Sequence, residues 1–249
     1  MLVTIITACY NSSLTIEKTI KSIINQDYSN IEYIIIDGLS TDQTLEIISK
    51  YKSQISRIIS EPDKGIYDAL NKGLNASNGD IIGFIHSDDI LANNSVITDI
   101  VNVFKKNKFD ILWGDLVIEN IISKKIKRFY SGKKIDKNSF DIGVMPPHPA
   151  TFIRTNVYKN FGSFNTLYKI ASDYDLLFRF IVLSEASYGY IDKILVIMSD
   201  GGISNKSLFS KLLLNYEITK IHKYHKRPIK IINFLKKIPF RVLEIINSK

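Results

Sequence analysis

Two adjacent carboxylates stand where an apolar run ends in the stretch "DIIGFIHSDD", residues 80–89. Asp88 and Asp89 have no lysine or arginine next to them in the chain. Hard oxygen ligands of this kind suit Mg²⁺ or Mn²⁺ and leave coordination positions open for phosphate oxygens. The alternative is that both acids only favour the positive end of the helix that follows. The pair therefore predicts either a metal site or the start of a helix.

Polar residues also follow the other apolar runs that are typical of buried strands. They are Thr7, Cys9, Tyr10 and Asn11 after the first run, Asp37 after the second, Glu61 and Asp63 after the third, and Ser87 with the two aspartates after the fourth. The carboxyl ends of parallel strands meet at one edge of an open sheet, where ligands bind. Each acid alone has an ordinary explanation, such as a turn before Gly38 or a loop before Pro62. Together on one edge, they predict a metal–nucleotide site.

The elements that must hold these residues alternate between strand and helix patterns over the first 113 residues. "LVTIITA" is a continuous apolar run, typical of a strand buried on both faces. Apolar residues then recur at helical spacing at Ile16, Ile20, Ile23 and Ile24. Similar units follow as far as "DIIGFIH". This alternation predicts an α/β fold with a mainly parallel, doubly wound sheet.

A different rhythm follows Trp113. "LWGDLVIENIISKKIKRFYSG" is typical of a meander of short strands, "SDYDLLFRFIVL" of a helix and "YIDKILVIMS" of a strand. The pattern predicts one domain over residues 1–205, in which residues 1–113 hold the predicted nucleotide-binding edge and residues 114–205 follow the change of pattern. Residues 206–249 are predicted to form a helical tail that is broken at Pro228.

The tail holds the positive charge of the chain. The net charge is +8, and residues 206–249 carry 11 Lys or Arg against Glu217 and Glu244, so the rest is nearly neutral. Apolar and basic residues interleave in "PIKIINFLKKIPFRVLEIINSK", as in an amphipathic helix that lies on anionic lipid. The tail is therefore predicted to bind the inner membrane surface. Packing on the body or on a second subunit is the alternative.

Several classes of protein are excluded by what the sequence lacks. The single cysteine, Cys9, permits no internal disulfide and no Cys-based zinc site. Neither GxGxxG nor GxxxxGK[ST] follows the first strand, which argues against Rossmann and P-loop nucleotide sites. No secretory signal is visible, nor an uncharged apolar run near the roughly 18 residues that a spanning helix needs. We therefore expect a cytoplasmic protein that attaches to the membrane only peripherally.

Five stretches within residues 1–205 occur in an informative order and spacing. They are "TIITACYN", "IIDGLSTDQT", "SEPDKGIYDALNKG", "HSDD" and "ASDYDLLFR". As an ordered set they resemble the family 2 nucleotide-sugar glycosyltransferases of the GT-A fold. The segments "MPPHPATFIRTNVYKNFGSFN" and "DGGIS" are similar to bacterial members that build surface polysaccharides such as O-antigen, capsule or exopolysaccharide. The resemblance implies transfer of a sugar from a nucleoside diphosphate donor, with inversion at the anomeric carbon.

The resemblance also implies roles for individual residues. Those implied to bind the nucleotide are Thr7, Tyr10, Asn11, Asp37, Glu61, Lys64, Asn71, Gly73 and Ser87. "HSDD" stands in the place of the family's Asp-x-Asp motif, so Asp88 and the adjacent Asp89 would hold Mn²⁺ or Mg²⁺. His86 departs from that motif because an acid often stands there, although a neutral His can also ligate a metal.

Asp173 of "SDYD" matches the family's catalytic base. An inverting transfer needs one carboxylate to take the proton of the acceptor hydroxyl as its oxygen attacks. Placement at a helix start would keep this carboxylate ionised. The alternative is a purely structural helix start, with Ser172 as N-cap and acids in the first turn. We expect that structural, cap-supporting role for Asp175.

Further residues near these motifs are candidates for the donor and acceptor pocket. They are His86, His148 in the rigid loop "PPHPAT", Arg179, and the pair Gly201 and Gly202, which would permit a mobile loop over the donor. The alternatives are a structural role for His148, a buried ion pair for Arg179 and a plain turn for the two glycines.

The sequence as a whole predicts an inverting, metal-dependent glycosyltransferase. We expect a nucleoside diphosphate sugar as donor, with a UDP-sugar favoured, and a glycan or lipid-linked glycan as acceptor, with no nucleic-acid partner. One alternative is a nucleotidyltransferase, which would need a basic Gly-rich loop that "TACYNSS" lacks. The other is a non-catalytic nucleic-acid-binding protein that uses the basic tail.

Overall fold

The computed structural model describes residues 1–120, 123, 125–200, 208–229 and 231–236. The strands are β1 (Val3–Cys9), β2 (Ile31–Asp37), β3 (Arg57–Ser60), β4 (Ile81–Phe84), β5 (Ile90–Leu91), β6 (Ile111–Glu119), β7 (Ile126–Tyr130), β8 (Thr151–Arg154) and β9 (Tyr188–Ser199). The helices are α1 (Ile16–Ile24), α2 (Thr44–Ser49), α3 (Ile66–Ala76), α4 (Val96–Lys106), α5 (Thr155–Phe161), α6 (Ser172–Leu177) and α7 (Leu208–Tyr224). A π-helical segment, Phe178–Leu183, continues α6. Short 3-10 helices lie at Lys52–Gln54, Lys137–Ile142, His148–Ala150 and Ile231–Lys236.

The strands form one nine-stranded sheet in the order β3-β2-β1-β4-β8-β6-β9-β5, with β7 paired to β6. The first four strands in this order are parallel. Strand β8 is antiparallel to β4 and to β6, and β9 is parallel to β6. The sheet is thus parallel in its N-terminal half and mixed in its C-terminal half. The predicted α/β architecture is confirmed, and the predicted meander contains the antiparallel β6–β7 pair.

Both faces of the sheet are buried, because helices cover each of them. All seven residues of β1 are buried, and their side chains alternate between two apolar clusters. Ile6 belongs to the cluster that α3 and α6 cover, and Ile5 to the cluster that α1 and α4 cover. Gly73 allows α3 to approach β1, since a Cβ at this position would collide with Ile6.

The described part of the tail packs on the body of the protein. Ile218 and Ile221 of α7 are buried, and both belong to the apolar cluster that includes α6. The choice between lipid binding and packing was made for residues 228–249, most of which lie outside the described residues, so the packing of α7 does not decide it. Among the described helices, we find none long and apolar enough to cross a membrane. Lys230 and residues 237–249 of the tail lie outside the described residues, as do Gly201 and Gly202.

Two local expectations are wrong. Asp88 and Asp89 do not begin a helix, because the short strand β5 follows them directly and α4 starts only at Val96. A strand of two residues is too short to give a periodic pattern, so the sequence did not predict it. Ser172 is not an N-cap: it is the first residue of α6, and Ala171 precedes it in the cap position without a side-chain cap bond.

Candidate functional site

The carboxyl ends of β1, β2 and β4 are connected by short hydrogen bonds. Asn11 adopts a left-handed conformation with φ of 48°, and its Oδ1 accepts a hydrogen bond from the Thr41 N–H at 2.8 Å. Its own N–H donates to Oγ of Ser40, also at 2.8 Å. Ser12 Oγ lies 2.9 Å from Ser87 Oγ, which joins the loop after β1 to the loop after β4. The predicted edge therefore exists as one connected polar surface.

An open part of this surface lies beside Tyr10. The Tyr10 ring is 62% exposed. Gly38 lies between that ring and the carboxylate of Asp63, since a Cβ at position 38 would collide with Asp63 and contact Tyr10. The glycine therefore lets an aromatic face and an acid approach each other, next to the exposed Asn11.

Asp37 is the centre of the hydrogen bonds between strand ends. Its carboxylate accepts hydrogen bonds from the hydroxyls of Ser40 at 2.5 Å and Ser60 at 2.7 Å, and from the Cys9 thiol at 3.7 Å. The side chain has no exposed surface. Asp37 therefore holds the ends of β1, β2 and β3 together, and a nucleoside could reach it only if Ser40 moved.

Three other residues expected to bind the nucleotide are occupied within the protein. Thr7 lies two residues inside the end of β1, is buried, and accepts a hydrogen bond from Tyr33 Oη at 3.2 Å. The Asn71 amide is paired with the backbone of Phe164 through bonds of 2.9 and 3.0 Å. Gly73 serves the packing of α3 on β1. Thr7 and Gly73 are buried, whereas Asn71 is partly exposed, and the nucleotide role expected for these three residues stays a prediction.

The loop after β3 is exposed. Glu61 forms an ion pair with Lys72, with 3.0 Å between Oε1 and Nζ. The side chain of Lys64 is exposed, while its backbone N–H donates to Asp68 at 3.0 Å. Lys64 is thus a cation that a phosphate could approach from solvent.

The two carboxylates after β4 differ in their surroundings. Asp88 is partly exposed, whereas Asp89 is fully buried and neither of its oxygens has a hydrogen-bond partner among the described residues. Burial, and then the charge of Asp88, raise the pKa of Asp89 well above its usual value. A buried carboxylate without a partner is costly unless a cation is near it.

The residues here fit a divalent cation that shares its coordination with a ligand. Within the described ranges, no group of three His, Cys, Asp or Glu side chains could hold a metal by itself. Mg²⁺ in particular commonly takes one or two carboxylates and completes its shell with phosphate oxygens and water. Asp88, with the unpartnered Asp89 beside it, meets that requirement.

A row of aromatic rings leads away from this loop. His86 stacks on His148 at a ring-centroid distance of 6.2 Å, and His148 contacts Phe164 at 5.6 Å. Phe164 in turn stacks on Tyr67 at 5.7 Å. Burial lowers the pKa of His86, and it lowers that of His148 to about 3, so both imidazoles are neutral near pH 7. His148 was predicted to line the pocket. Its ring is almost fully buried, and its Nε2 has no hydrogen-bond partner in the described structure.

Asp173 lies at the far end of this row. Its Oδ1 is 3.3 Å from the Tyr67 hydroxyl and accepts the backbone N–H of Tyr174 at 2.8 Å. The side chain is partly exposed at the second position of α6. Burial raises the pKa of Asp173 to about 6, against the opposing effect of these hydrogen bonds. The carboxylate is thus mostly ionised at neutral pH. From the sequence we expected the helix start to favour the ionised form, but burial has the larger effect on the pKa and raises it.

Asp175 and Arg179 are structural. Asp175 is buried, and its two oxygens lie 2.9 Å from Arg179 Nε and 2.9 Å from His225 Nε2 of the tail. Arg179 also donates to the carbonyl oxygens of Phe161 and Ser163. Arg179 was expected either to line the pocket or to form a buried ion pair, and the structure shows the ion pair. Asp175 is structural as expected, but it joins α6 to α5 and the tail instead of supporting a cap.

Glu217 of α7 holds the segment that leads into α6. Its carboxylate accepts the backbone N–H groups of Lys169, Ile170 and Ala171 at 2.9 to 3.0 Å, and its side chain is buried. The tail helix thus fixes the start of the helix that carries Asp173.

The sequence did not indicate three residues of this arrangement. Tyr67 and Phe164 connect Asp173 to the loop of Asp88, and Glu217 anchors α6. The one available signal was that Glu217 is the sole acid between Lys206 and Lys237. Aromatic residues such as Tyr67 gave none, because their type and spacing are also those of ordinary core residues.

Comparison with known proteins identifies the class. The model of a family described as "Glycosyl transferase family 2" matches residues 4–166. The chain belongs to this family, which supports a glycosyltransferase over the nucleotidyltransferase and non-catalytic alternatives. It is 29% identical over 193 residues to an uncharacterized glycosyltransferase of Mycobacterium tuberculosis, with 74% of this chain and 70% of that protein covered. It is 24% identical over 206 residues to a "PGL/p-HBAD biosynthesis glycosyltransferase" of Mycobacterium bovis, with 81% and 78% covered.

Solved structures show the same GT-A fold. S. aureus TarS 1-349 in complex with UDP has a TM-score of 0.66 and 20% identity, with 90% of this chain and 72% of that chain covered. In a longer TarS structure, this chain spans 39% of the other chain. The mannosyltransferase PcManGT of Pyrobaculum calidifontis, in complex with GDP-Man and Mn²⁺, has a TM-score of 0.67 and 14% identity, with 92% and 65% covered.

Proposed function

We propose that this chain is an inverting glycosyltransferase in which Asp173 takes the proton of the acceptor hydroxyl. The observation that carries the proposal is the row of contacts from Asp173 through Tyr67, Phe164 and His148 to His86. It joins a partly exposed carboxylate to the loop of Asp88, where a donor diphosphate would be bound.

The base has the properties that its step requires. An inverting transfer forms a bond between the acceptor oxygen and the anomeric carbon as the bond to the diphosphate breaks, and the acceptor proton passes to a carboxylate. With its pKa raised to about 6, Asp173 is ionised at neutral pH yet more basic than an exposed aspartate. No second carboxylate is needed, because inversion proceeds without a covalent intermediate.

The donor would lie across the ends of β1, β2 and β4. Tyr10 and Asn11 are exposed for contact with the nucleoside, and Lys64 is exposed for contact with the phosphates. Asp37 would organise this surface from beneath. Asp88 and Asp89 would hold Mn²⁺ or Mg²⁺, and the ion would neutralise charge on the departing diphosphate.

The proposal extends to partners and location. UDP-sugar is the favoured donor, in line with a solved structure of S. aureus TarS 1-349 in complex with UDP-GlcNAc. The acceptor would be a glycan or lipid-linked glycan in the synthesis of a bacterial surface polysaccharide. Residues 1–113 would bind the donor and residues 114–205 the acceptor. The protein would act on the cytoplasmic side, attached peripherally to the inner membrane through its basic tail.

A donor screen tests this function. Sugar nucleotides carrying UDP, GDP, dTDP or CMP are added with Mn²⁺ or with EDTA, and the midpoint of thermal unfolding is measured. A ligand at about one hundred times its Kd stabilises the folded state by about 2.7 kcal/mol. We expect one nucleotide class to raise the midpoint, and more so with Mn²⁺. If no donor shifts it in either condition, the proposed donor site does not exist.

A further inference from the structure

Helix α7 is apolar on two opposite faces, and the part of the body that the structure describes covers only one of them. The covered face carries Ile218 and Ile221, with Glu217 at its border. On the other face, Phe209, Leu212 and Tyr216 are 74%, 61% and 64% exposed. A helix of a globular protein normally keeps its outer face polar. This exposed apolar row therefore requires a partner.

Basic residues continue the same face toward the end of the helix. Positions 209, 212, 216, 220 and 223 are three or four residues apart, so they lie on one side of α7. Lys220 and Lys223 are exposed, as are Lys226 and Arg227 directly after the helix. The one acid of α7, Glu217, is buried and binds the backbone before α6. The exposed face is thus apolar at one end, cationic at the other, and without acids.

We infer that this face of α7 docks on an anionic lipid surface, with Phe209, Leu212 and Tyr216 inserted at the headgroup boundary and the lysines on lipid phosphates. Hydrocarbon accepts both an aromatic and an aliphatic side chain, and anionic headgroups match a row of cations that lacks acids. The inference assigns the proposed membrane attachment to a defined surface of the protein. It rests on the proposed function only in naming the inner membrane as the lipid surface.

Two other partners fit the face less well. In a two-fold dimer the same patch meets itself, so the lysines of both copies would lose water without finding an acid. A nucleic acid would satisfy the lysines, but the aliphatic side chain of Leu212 cannot stack on a base and would stay exposed to water.

Docking through α7 would also orient the site. The opposite side of the helix holds the start of α6 through Glu217, so the lipid surface and Asp173 are connected by one rigid element.

The test measures sedimentation of the full chain with vesicles of phosphatidylcholine, with and without about one quarter phosphatidylglycerol. Three variants are compared with the wild type: Lys220→Gln with Lys223→Gln; Phe209→Gln with Leu212→Gln and Tyr216→Gln; and, as a charge-matched control, Lys105→Gln with Lys106→Gln in exposed positions of α4. Glutamine keeps a high helix propensity, which protects the fold of α7.

We expect the wild type and the α4 control to bind the anionic vesicles alike, and both α7 variants to bind about tenfold or more weakly. Wild-type binding to pure phosphatidylcholine should be weaker as well. Absence of binding by the wild type overturns the inference, and so does binding by either folded α7 variant that equals that of the wild type. If the triple variant does not fold, the comparison of the Lys220→Gln and Lys223→Gln double variant with the wild type decides whether the inference stands.

Two further measurements identify the other partners. If the wild type is a dimer and the triple variant is a monomer, with vesicle binding unchanged, the face is a subunit interface and the inference is overturned. Binding to RNA that is lost in the lysine variant, without vesicle binding, would overturn it in favour of nucleic acid. Each variant is also tested for stabilisation by sugar nucleotides, which keeps a failure of the donor site separate from a failure of the lipid surface.

Discussion

The phenolic oxygen of Tyr67 lies 3.3 Å from Oδ1 of Asp173 and 2.6 Å from the carbonyl oxygen of Ile170. One hydroxyl thus contacts both the proposed base and the segment before its helix. Tyr67 belongs to α3, at one face of the parallel strands, whereas Asp173 lies 106 positions later. The contact makes the basicity of Asp173 dependent on the part of the chain that would bind the donor.

Tyr67→Phe should change the pH dependence of transfer. With the pKa of Asp173 near 6, kcat/KM should fall about tenfold per pH unit below that value, because protonated Asp173 cannot accept a proton. The Tyr67 hydrogen bond lowers this pKa, so its removal should move the acidic limb to higher pH. Tyr51→Phe, which removes a hydroxyl bound to Glu17 at the surface, is the control and should leave the limb in place.

Asp173→Asn should abolish most transfer and keep donor binding. The amide can still accept the Tyr174 N–H but cannot take a proton, so a loss of about 10²- to 10⁴-fold in kcat is expected. Because burial raises the pKa of the Asp173 carboxyl, its charge costs stability at neutral pH, and the neutral amide should raise the unfolding midpoint. Normal turnover in this variant would remove Asp173 as the base.

Glu217→Gln tests whether α7 positions the proposed base. Glutamine keeps one oxygen for the three N–H groups before α6, so the variant should lose about 2 kcal/mol of stability. The charge of Glu217 raises the pKa of Asp173, and its removal should move the acidic limb to lower pH, opposite to the effect of Tyr67→Phe.

A purely structural role of Glu217 predicts a different result. Transfer would then fall only in proportion to the unfolded fraction, with kcat per folded molecule and the pH profile unchanged. The matched control is Glu185→Gln, which alters an exposed acid between the π-helical segment and β9. It should change neither kcat per folded molecule nor the pH profile.

Asp88→Asn should weaken binding of the sugar nucleotide in the presence of Mn²⁺ and leave binding in EDTA unchanged. The physical reason is that an amide oxygen is a poorer ligand than a carboxylate for a hard cation. Isothermal titration in both conditions measures the difference, with the exposed Asp192→Asn as control. Equal affinity of variant and wild type with Mn²⁺ would exclude Asp88 as a ligand.

Asp175→Asn should destabilise the protein by about 3 kcal/mol, because it removes the negative charge of a buried ion pair and leaves only one acceptor oxygen for Arg179 and His225. Denaturant unfolding measures this loss. We expect donor affinity to remain close to that of the wild type under conditions where the variant is folded. A loss of affinity larger than the unfolded fraction explains would indicate that Arg179 contacts the donor after all.

The fold could be predicted from the sequence to a large extent. Apolar runs and helical stripes fixed the strands and helices around β1 to β4, because local periodicity reports which side of an element is buried. The order of the motifs was enough to indicate the family, which the comparisons confirm. The mixed half of the sheet was less predictable, since β8 inserts between β4 and β6, and β9 between β6 and β5, although each comes later in the chain than both of its neighbours.

The candidate site, too, could be predicted from the sequence only in part. The sequence by itself determined which residue types come to one edge of the sheet, because strand ends and their polar neighbours follow from the local pattern. Only the tertiary structure decided which of them meet solvent: Asp37 is covered by Ser40, Asp175 binds Arg179, and Asp173 stays partly exposed beside Tyr67. Burial and hydrogen bonding depend on partners far along the chain, and no local pattern carries that information.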